Sequence, residues 1–273
     1  MGDVTAQVAG HYSRNQLGQA ILAAFAALGR PTAPLDPEDF AAVAELHTRG
    51  RAATEDLAAA LAPKASDRVL DVGSGLGGGA CYFAGRFGCH VSGIDLSADF
   101  CAAARLLAEQ QGFGDKVDFR PGDATALPFA AASFDIVYSQ HVAMNIADKA
   151  KLYGEIARVL KPGGRFGLYD LLQGPGGAPH YPVPWAADAR TSFLVTPAAL
   201  VALLDGAGFV VESRDDMTAL AREWSTRRAE NTKPVVSGLR LLHGETAKAM
   251  AANVARNLAE GRVVALRAIC RKP

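Results

Sequence analysis

The chain has 273 residues and is 49% hydrophobic, enough to bury a full α/β core as one large domain or as one domain with an appended cap. Lys+Arg and Asp+Glu both number 28, so no global field draws it to nucleic acid or to an anionic membrane surface. What this balance leaves is a protein that handles a small molecule, with the oligomeric state open, a homodimer included. Cys81, Cys89, Cys101 and Cys270 lie on apolar segments without metal-ligand spacing and are expected to be buried free thiols, with no bound metal. With no secretory start after Met1 and no apolar run of membrane-spanning length, a cytoplasmic location is expected.

From the N-terminus, Leu17, Ile21, Ala24, Phe25 and Leu28 recur at helical spacing behind Ser13 as an N-cap, and Gly29 and Pro31 end that helix. Asp36-Pro37 supplies a cap and a first-turn proline for a second helix through about Leu46, and a third runs from about Arg51 to Leu61. Residues 1–64 read as a helical cap on residues 65–273. From Arg68 short apolar runs alternate with helical stretches, the pattern of βαβ units around a parallel sheet. Strands are expected near 68–73, 89–95, 116–120, 134–140, 165–171, 208–213 and 263–270, with helices near 78–87, 97–111, 149–160 and 197–206. The fold class is α/β. Gly174-Pro175-Gly176-Gly177-Ala178-Pro179, followed by Tyr181, Pro182, Pro184 and Trp185, is too rich in breakers for regular structure, so 174–195 reads as a long loop. Residues 216–260 hold two expected helices where a hairpin would suffice, which marks an insertion before the last strand.

The strongest chemical signal is Val69-Leu70-Asp71-Val72-Gly73-Ser74-Gly75, a strand running into a glycine loop and then a helix. Gly73, Gly75 and Gly78 also satisfy GxGxxG, with Asp95 at the spacing of a ribose-binding acid, so a dinucleotide site in an NAD-dependent oxidoreductase must be weighed. Asp71 discriminates: a carboxylate at the mouth of the loop opposes a pyrophosphate and suits an ammonium or sulfonium. S-adenosylmethionine carries both cations and no phosphate. Asp95 would hold its ribose diol, Leu96 would pack on adenine, and Asp123 in Gly122-Asp123-Ala124 would accept from the adenine amino group. Taken singly, Asp71 is equally a helix-capping acid, Asp95 a turn residue and Asp123 an Asx-turn residue. Together, at successive strand ends, they outline a nucleoside-and-amine site.

Leu70-Asp71-Val72-Gly73-Ser74-Gly75, Gly122-Asp123-Ala124, Leu127-Pro128-Phe129, Ser133-Phe134-Asp135 and Arg158-Val159-Leu160-Lys161-Pro162-Gly163-Gly164 resemble the class I S-adenosylmethionine-dependent methyltransferases. The resemblance spans roughly residues 65–215. It implies a Rossmann-like, seven-stranded, mostly parallel sheet flanked by helices, with the last strand antiparallel, and methyl transfer from S-adenosylmethionine to nitrogen or oxygen of a small-molecule acceptor. Gly77-Gly78-Gly79 and Ser139-Gln140-His141 look most like the sarcosine/dimethylglycine and phosphoethanolamine N-methyltransferases. Ubiquinone-type C-methyltransferases come next, so a quinone-like or natural-product carbon acceptor is the alternative. A cofactor-binding protein without catalysis is a third reading.

Methyl transfer needs nucleophile, methyl and sulfur held in line and water excluded. The segment after strand four, Ser139 to Ile146, faces the reacting end. Gln140 is placed to bind the methionine carboxylate, where the phosphoethanolamine enzymes are expected to carry arginine. His141 is a candidate base and equally a structural histidine, while Asn145 stands where those enzymes would carry a catalytic histidine. Tyr12 resembles an N-terminal lid tyrosine. His47 and Arg51 precede the core domain where a cap would meet the cofactor's carboxylate, a partner suited to arginine's fork. The acceptor pocket is expected between the cap, the 174–195 loop and the 216–260 insertion.

Overall fold

The structure, a computed structural model, describes residues 7, 8, 10, 16–230 and 236–273. Ser13 and Tyr12 lie outside the described residues. The helices α1 (Leu17–Ala27), α2 (Pro37–Ala44) and α3 (Arg51–Leu61) precede the sheet. Alternation follows: β1 (Arg68–Val72), α4 (Gly78–Phe87), β2 (His90–Asp95), α5 (Ala98–Gln110), β3 (Val117–Pro121), β4 (Phe134–Gln140), α6 (Lys149–Val159), β5 (Leu160–Gln173), α7 (Pro197–Gly206) and β6 (Val210–Asp216). Before the final β7 (Val263–Arg271) come α8 (Thr218–Glu230), α9 (Gly238–His243) and α10 (Thr246–Ala259), three helices where periodicity indicated two. Among the described residues no helix is long and apolar enough to cross a membrane.

The seven strands form one sheet in the order β3-β2-β1-β4-β5-β7-β6, with β7 antiparallel to both neighbours. The direction of winding reverses between β1 and β4, which opens a crevice beyond their carboxyl ends. Alternation along the central strands divides the core. Val69, Val91, Ile136 and Tyr138 face α4 and α5, where Phe83 stacks on Tyr138 at 4.4 Å. Leu70, Ile94 and Val137 face the other side, with Leu152 and Ile156 of α6 and Leu200 and Leu204 of α7. The N-terminal helices join the first of these layers: Ile21, Phe25, Val43 and Leu57, each 0% exposed, belong to the same cluster as Val69 and Phe83.

Asp36 caps α2 through the N–H groups of Glu38 and Asp39 at 2.9 and 3.2 Å. That helix stops at Ala44, two residues before the expected end, because Glu45 leaves helical geometry and turns inward. β5 begins at Leu160, earlier than expected, since Leu160 already pairs with Phe134 ahead of a register shift. The turn there is held from outside by Arg158, bonded to Glu155 and to the carbonyls of Leu127 and Phe129, and by Lys161 on Asp135 at 2.6 Å.

Candidate active site

The glycine loop after β1 turns back over the sheet. Gly73 has φ +74° and a Cβ there would sit 2.3 Å from Val142 Cγ2, so only glycine fits. Gly75, at φ +52°, has nothing within 4 Å of its would-be Cβ and lines a cavity. Its N–H donates to Asp95 Oδ2 at 2.9 Å, while Asp95 Oδ1 accepts from Ser97 N–H at 2.9 Å. Asp95 therefore caps the turn and borders the cavity at once, with Leu96 beside it. Burial raises its pKa against those two bonds.

Asp71 is 4% exposed, and burial pushes its carboxyl up to about 7, with the Tyr138 hydroxyl pulling the other way and Asp95 and Glu45 adding repulsion. Asp123, on the same cavity with Ala124, uses Oδ1 to accept from the Thr125 N–H and hydroxyl at 2.7 and 2.8 Å, an Asx turn that does not engage Oδ2. The Ser74 hydroxyl and Gln140 Nε2 are buried with no partner among the described residues.

The chain between α2 and α3 supplies the opposite wall. Glu45 Oε1 lies 2.6 Å from Arg51 Nε, its Oε2 accepts from the Thr54 hydroxyl at 2.7 Å, and burial raises its pKa. Arg51, packed 4.7 Å from the centroid of Tyr82, thus already meets one carboxylate. His47 is buried and its pKa falls to about 4 through desolvation, so it lines the cavity as a neutral ring. Glu45 was missed by sequence reasoning, although a single acid at the end of the Ala-rich Phe40-Ala41-Ala42-Val43-Ala44 face is a detectable signal.

Beyond β4, the Thr54 hydroxyl reaches Gln140 Oε1 at 3.3 Å. His141, at φ +57°, lies with Nε2 3.2 Å from the Thr48 hydroxyl, which is 2.8 Å from the Tyr169 hydroxyl. Asn145 also borders the cavity, but its Nδ2 donates to the carbonyls of Trp185 at 2.7 Å and Thr191 at 3.2 Å, which engages it in holding the 174–195 loop. Under this segment Asp170, 1% exposed, accepts from Val142 N–H at 2.9 Å, and burial lifts its pKa to about 7. Lys149 is lowered to about 8 by burial, with Asp170 opposing. Asp170 follows Tyr169, the last β5 residue paired with β4, much as the three cavity acids lie at or within two residues of the ends of β1, β2 and β3, so the strand-end rule extended by one strand would have found it.

Glu45, His47, Thr48, Arg51, Asp71, Ser74, Asp95, Asp123, Gln140, His141 and Asn145 border a single cavity of about 1860 Å³, whereas Thr54, Tyr138, Tyr169, Asp170 and Lys149 stand behind its lining. Met144, Ile146, Leu171, Trp185, Trp224 and Val254 give the cavity apolar lining, next to the charged Lys151, Arg228 and Lys248. Tyr181 packs instead against the core around Trp185 and Tyr169. Among the described residues no group of His, Cys, Asp and Glu is arranged to hold a metal.

Residues 70–168 match the family described as methyltransferase domain. The chain carries a methyltransferase domain. It runs from β1 into β5 and holds Asp71, Asp95, Asp123 and the Gln140–Asn145 segment, while Glu45, Arg51 and the helices before β7 lie outside the match. A sterol 24-C-methyltransferase of Gibberella zeae is 41% identical over 105 residues, 38% of this chain and 28% of that protein. Phosphoethanolamine N-methyltransferase 1 of Zea mays is 36% identical over 131 residues, 47% of this chain and 25% of that protein. The chain thus spans only about a quarter of the length of these relatives. Geranyl diphosphate C-methyltransferase from Streptomyces coelicolor A3(2), solved with Mg2+, geranyl diphosphate and S-adenosyl-L-homocysteine, shares the fold at a TM-score of 0.68 and 20% identity, over 81% of this chain and 79% of that one.

Proposed function

We propose that the protein transfers a methyl group from S-adenosylmethionine to a small, largely apolar acceptor. The observation that carries this reading is the charge of the cavity around the glycine loop. Asp71 is buried with its pKa raised further by Asp95 and Glu45, and of these acids Glu45 is met by Arg51 at 2.6 Å. Such a wall opposes a dinucleotide pyrophosphate and favours a ligand bearing positive charge. The unpartnered Ser74 hydroxyl and Gln140 Nε2 and the open space at Gly75 fit the same ligand. When bound, S-adenosylmethionine supplies an electrophilic methyl group on a sulfonium.

The chain's own residues then divide the work. Asp71 and Glu45 bind the ammonium end, Arg51 and Gln140 the carboxylate, Asp95 the ribose diol and Asp123 the adenine amino group, with Leu96 and Ala124 against the ring. Small-ligand pockets run to roughly 300–1000 Å³, so a cavity of about 1860 Å³ has room for a second molecule beside the cofactor. Trp185 and Trp224 offer flat apolar faces to that molecule, and His141 borders the same cavity. In this reading the described part of residues 1–64 forms the cap that closes the cofactor end. The buried free thiols fit a reducing compartment, the cytoplasm.

Calorimetry with S-adenosylmethionine, S-adenosylhomocysteine and NAD tests the assignment, and binding of the first two only is expected. Binding of NAD alone would overturn it. A product search over a metabolite library with methyl-labelled cofactor then identifies the acceptor by mass. Tight cofactor binding with no labelled product from any compound would favour a non-catalytic binding protein.

A further inference from the structure

We propose that, given the methyltransferase reading on which this rests, the acceptor ends in an oxyanion, a carboxylate or a phosphate monoester, which the insertion before β7 holds at Arg228 with Lys248 adding charge.

The signs of charge around the cavity are divided by element. Every acid that borders it comes from the cap, the strand ends or the turn before α6. The insertion, α8 to α10, contributes Arg228 and Lys248 to the lining and, among the described residues, no acid. Lys151 borders the cavity too, but beside Asp148, which accepts from its N–H at 2.9 Å.

The pairing of the cations follows the same division. Arg49 and Arg51 reach the cavity from the cap and are held by Asp56 and Glu45, each at 2.6 Å. Away from the cavity, Arg227, Arg240 and Arg256 of the insertion each meet a glutamate. Among the described residues neither Arg228 nor Lys248 has a carboxylate partner. Arg228 is exposed and nonetheless placed: its guanidinium lies 5.3 Å from the centroid of the Trp224 ring, and Nη2 donates to Ser237 Oγ at 3.2 Å. A guanidinium has five N–H donors and no acceptor, so most of the fork remains open to a ligand. That planar fork meets the oxygens of a carboxylate or a phosphate two at a time.

The same wall has room for the body that carries the anion. Lys248, Ala251, Ala252 and Ala255 recur at helical spacing along the lining face of α10, which packs on α8 beside Trp224. An acceptor with a cationic tail would meet Arg228 and Lys248 with no acid on that wall to offset them, and like charges repel. The cavity thus offers its acids to a cofactor bearing positive charge and its cationic wall to an acceptor bearing negative charge.

With S-adenosylhomocysteine bound, fluorescence titrations compare probes that share one apolar body: 2-naphthylacetate, 2-naphthyl phosphate, 2-(2-naphthyl)ethanol and 2-naphthylmethylamine. At least one anion is expected to bind about three- to tenfold more tightly than the alcohol, and the amine more weakly than the alcohol. The tighter of the two anions tells a carboxylate from a phosphate ester. The advantage should shrink as salt is raised, disappear in Arg228→Gln and persist in Arg228→Lys. It should also persist in Arg222→Gln, which removes an exposed arginine of the same helix outside the lining. Lys248→Gln should lower it partway, and serves where the arginine variant does not fold. An alcohol bound as tightly as both anions, an advantage that survives in folded Arg228→Gln, or no binding of any probe at millimolar concentration overturns the proposal. Failure of S-adenosylhomocysteine to bind would count against the methyltransferase reading instead, and the unloaded wild-type and Arg228→Gln proteins would still decide the oxyanion site by the same comparison.

Discussion

In the proposed methyltransferase reading, Asp71 is the residue on which cofactor selection turns, and its protonation makes that selection measurable. A carboxyl raised to about 7 by burial is largely protonated in the free protein at mildly acidic pH. A cation docked beside it favours the charged form, lowers the pKa and expels the proton. Binding of S-adenosylmethionine at about pH 6 should therefore release protons, and the release should fade toward about pH 9, where the carboxylate is already ionised. Calorimetry in buffers of different ionisation heat reads this number. In Asp71→Asn the release should shrink to what Glu45 and Asp95 contribute, with affinity reduced by roughly 1–3 kcal/mol through loss of a charge-assisted contact. Proton uptake by the wild-type protein would refute this account of Asp71.

At the scale of elements, legibility followed how local the controlling force is. Asp36-Pro37 starts α2 through its own side chain and ring, and the run Phe134 to Tyr138 reads as a buried strand, so both were visible in sequence. The end of α2 was not, because Leu46 continues the apolar period while Glu45 is drawn away by Arg51 and Thr54, partners that no periodicity reveals. The residues after β4 were legible as a set, but which of them face a ligand depends on distant chain: Asn145 is engaged by carbonyls 40 and 46 positions away. Asn145→Ala should leave those two carbonyls without their donor and loosen the 174–195 loop. The expected cost is roughly 1–3 kcal/mol of stability, with faster hydrogen exchange confined to residues around 183–193. Unchanged exchange there would show that Trp185, whose Nε1–H donates to the Ser192 hydroxyl, and Lys149, whose ammonium donates to the Phe193 carbonyl, hold the loop without it.

For the molecule as a whole, the N-terminal helices and the sheet share one apolar layer, while the cavity beneath them concentrates ionisable groups whose burial opposes folding at neutral pH. Asp170 isolates that opposition, since it lies under the cavity wall and its pKa is raised from 3.8 to about 7 chiefly by desolvation. Between those two values the folded chain holds a proton that the unfolded chain has lost, so stability falls as pH rises through the window and the contribution is gone above it. His47 acts in the opposite sense: with its pKa lowered to about 4 from 6.5, its burial costs stability below that range, and the cost disappears as pH rises through it. The wild-type profile is the difference of these slopes, so a single variant reads the sign more cleanly. Asp170→Asn removes the titration and keeps the shape. Relative to wild type, it should carry a fixed penalty at about pH 4 that diminishes steadily toward about pH 8. Urea unfolding at intervals across that range measures the difference. A gap that stays constant with pH would mean that Asp170 titrates alike in the folded and unfolded chains, and that the loop after β4 rests on its hydrogen bonds alone.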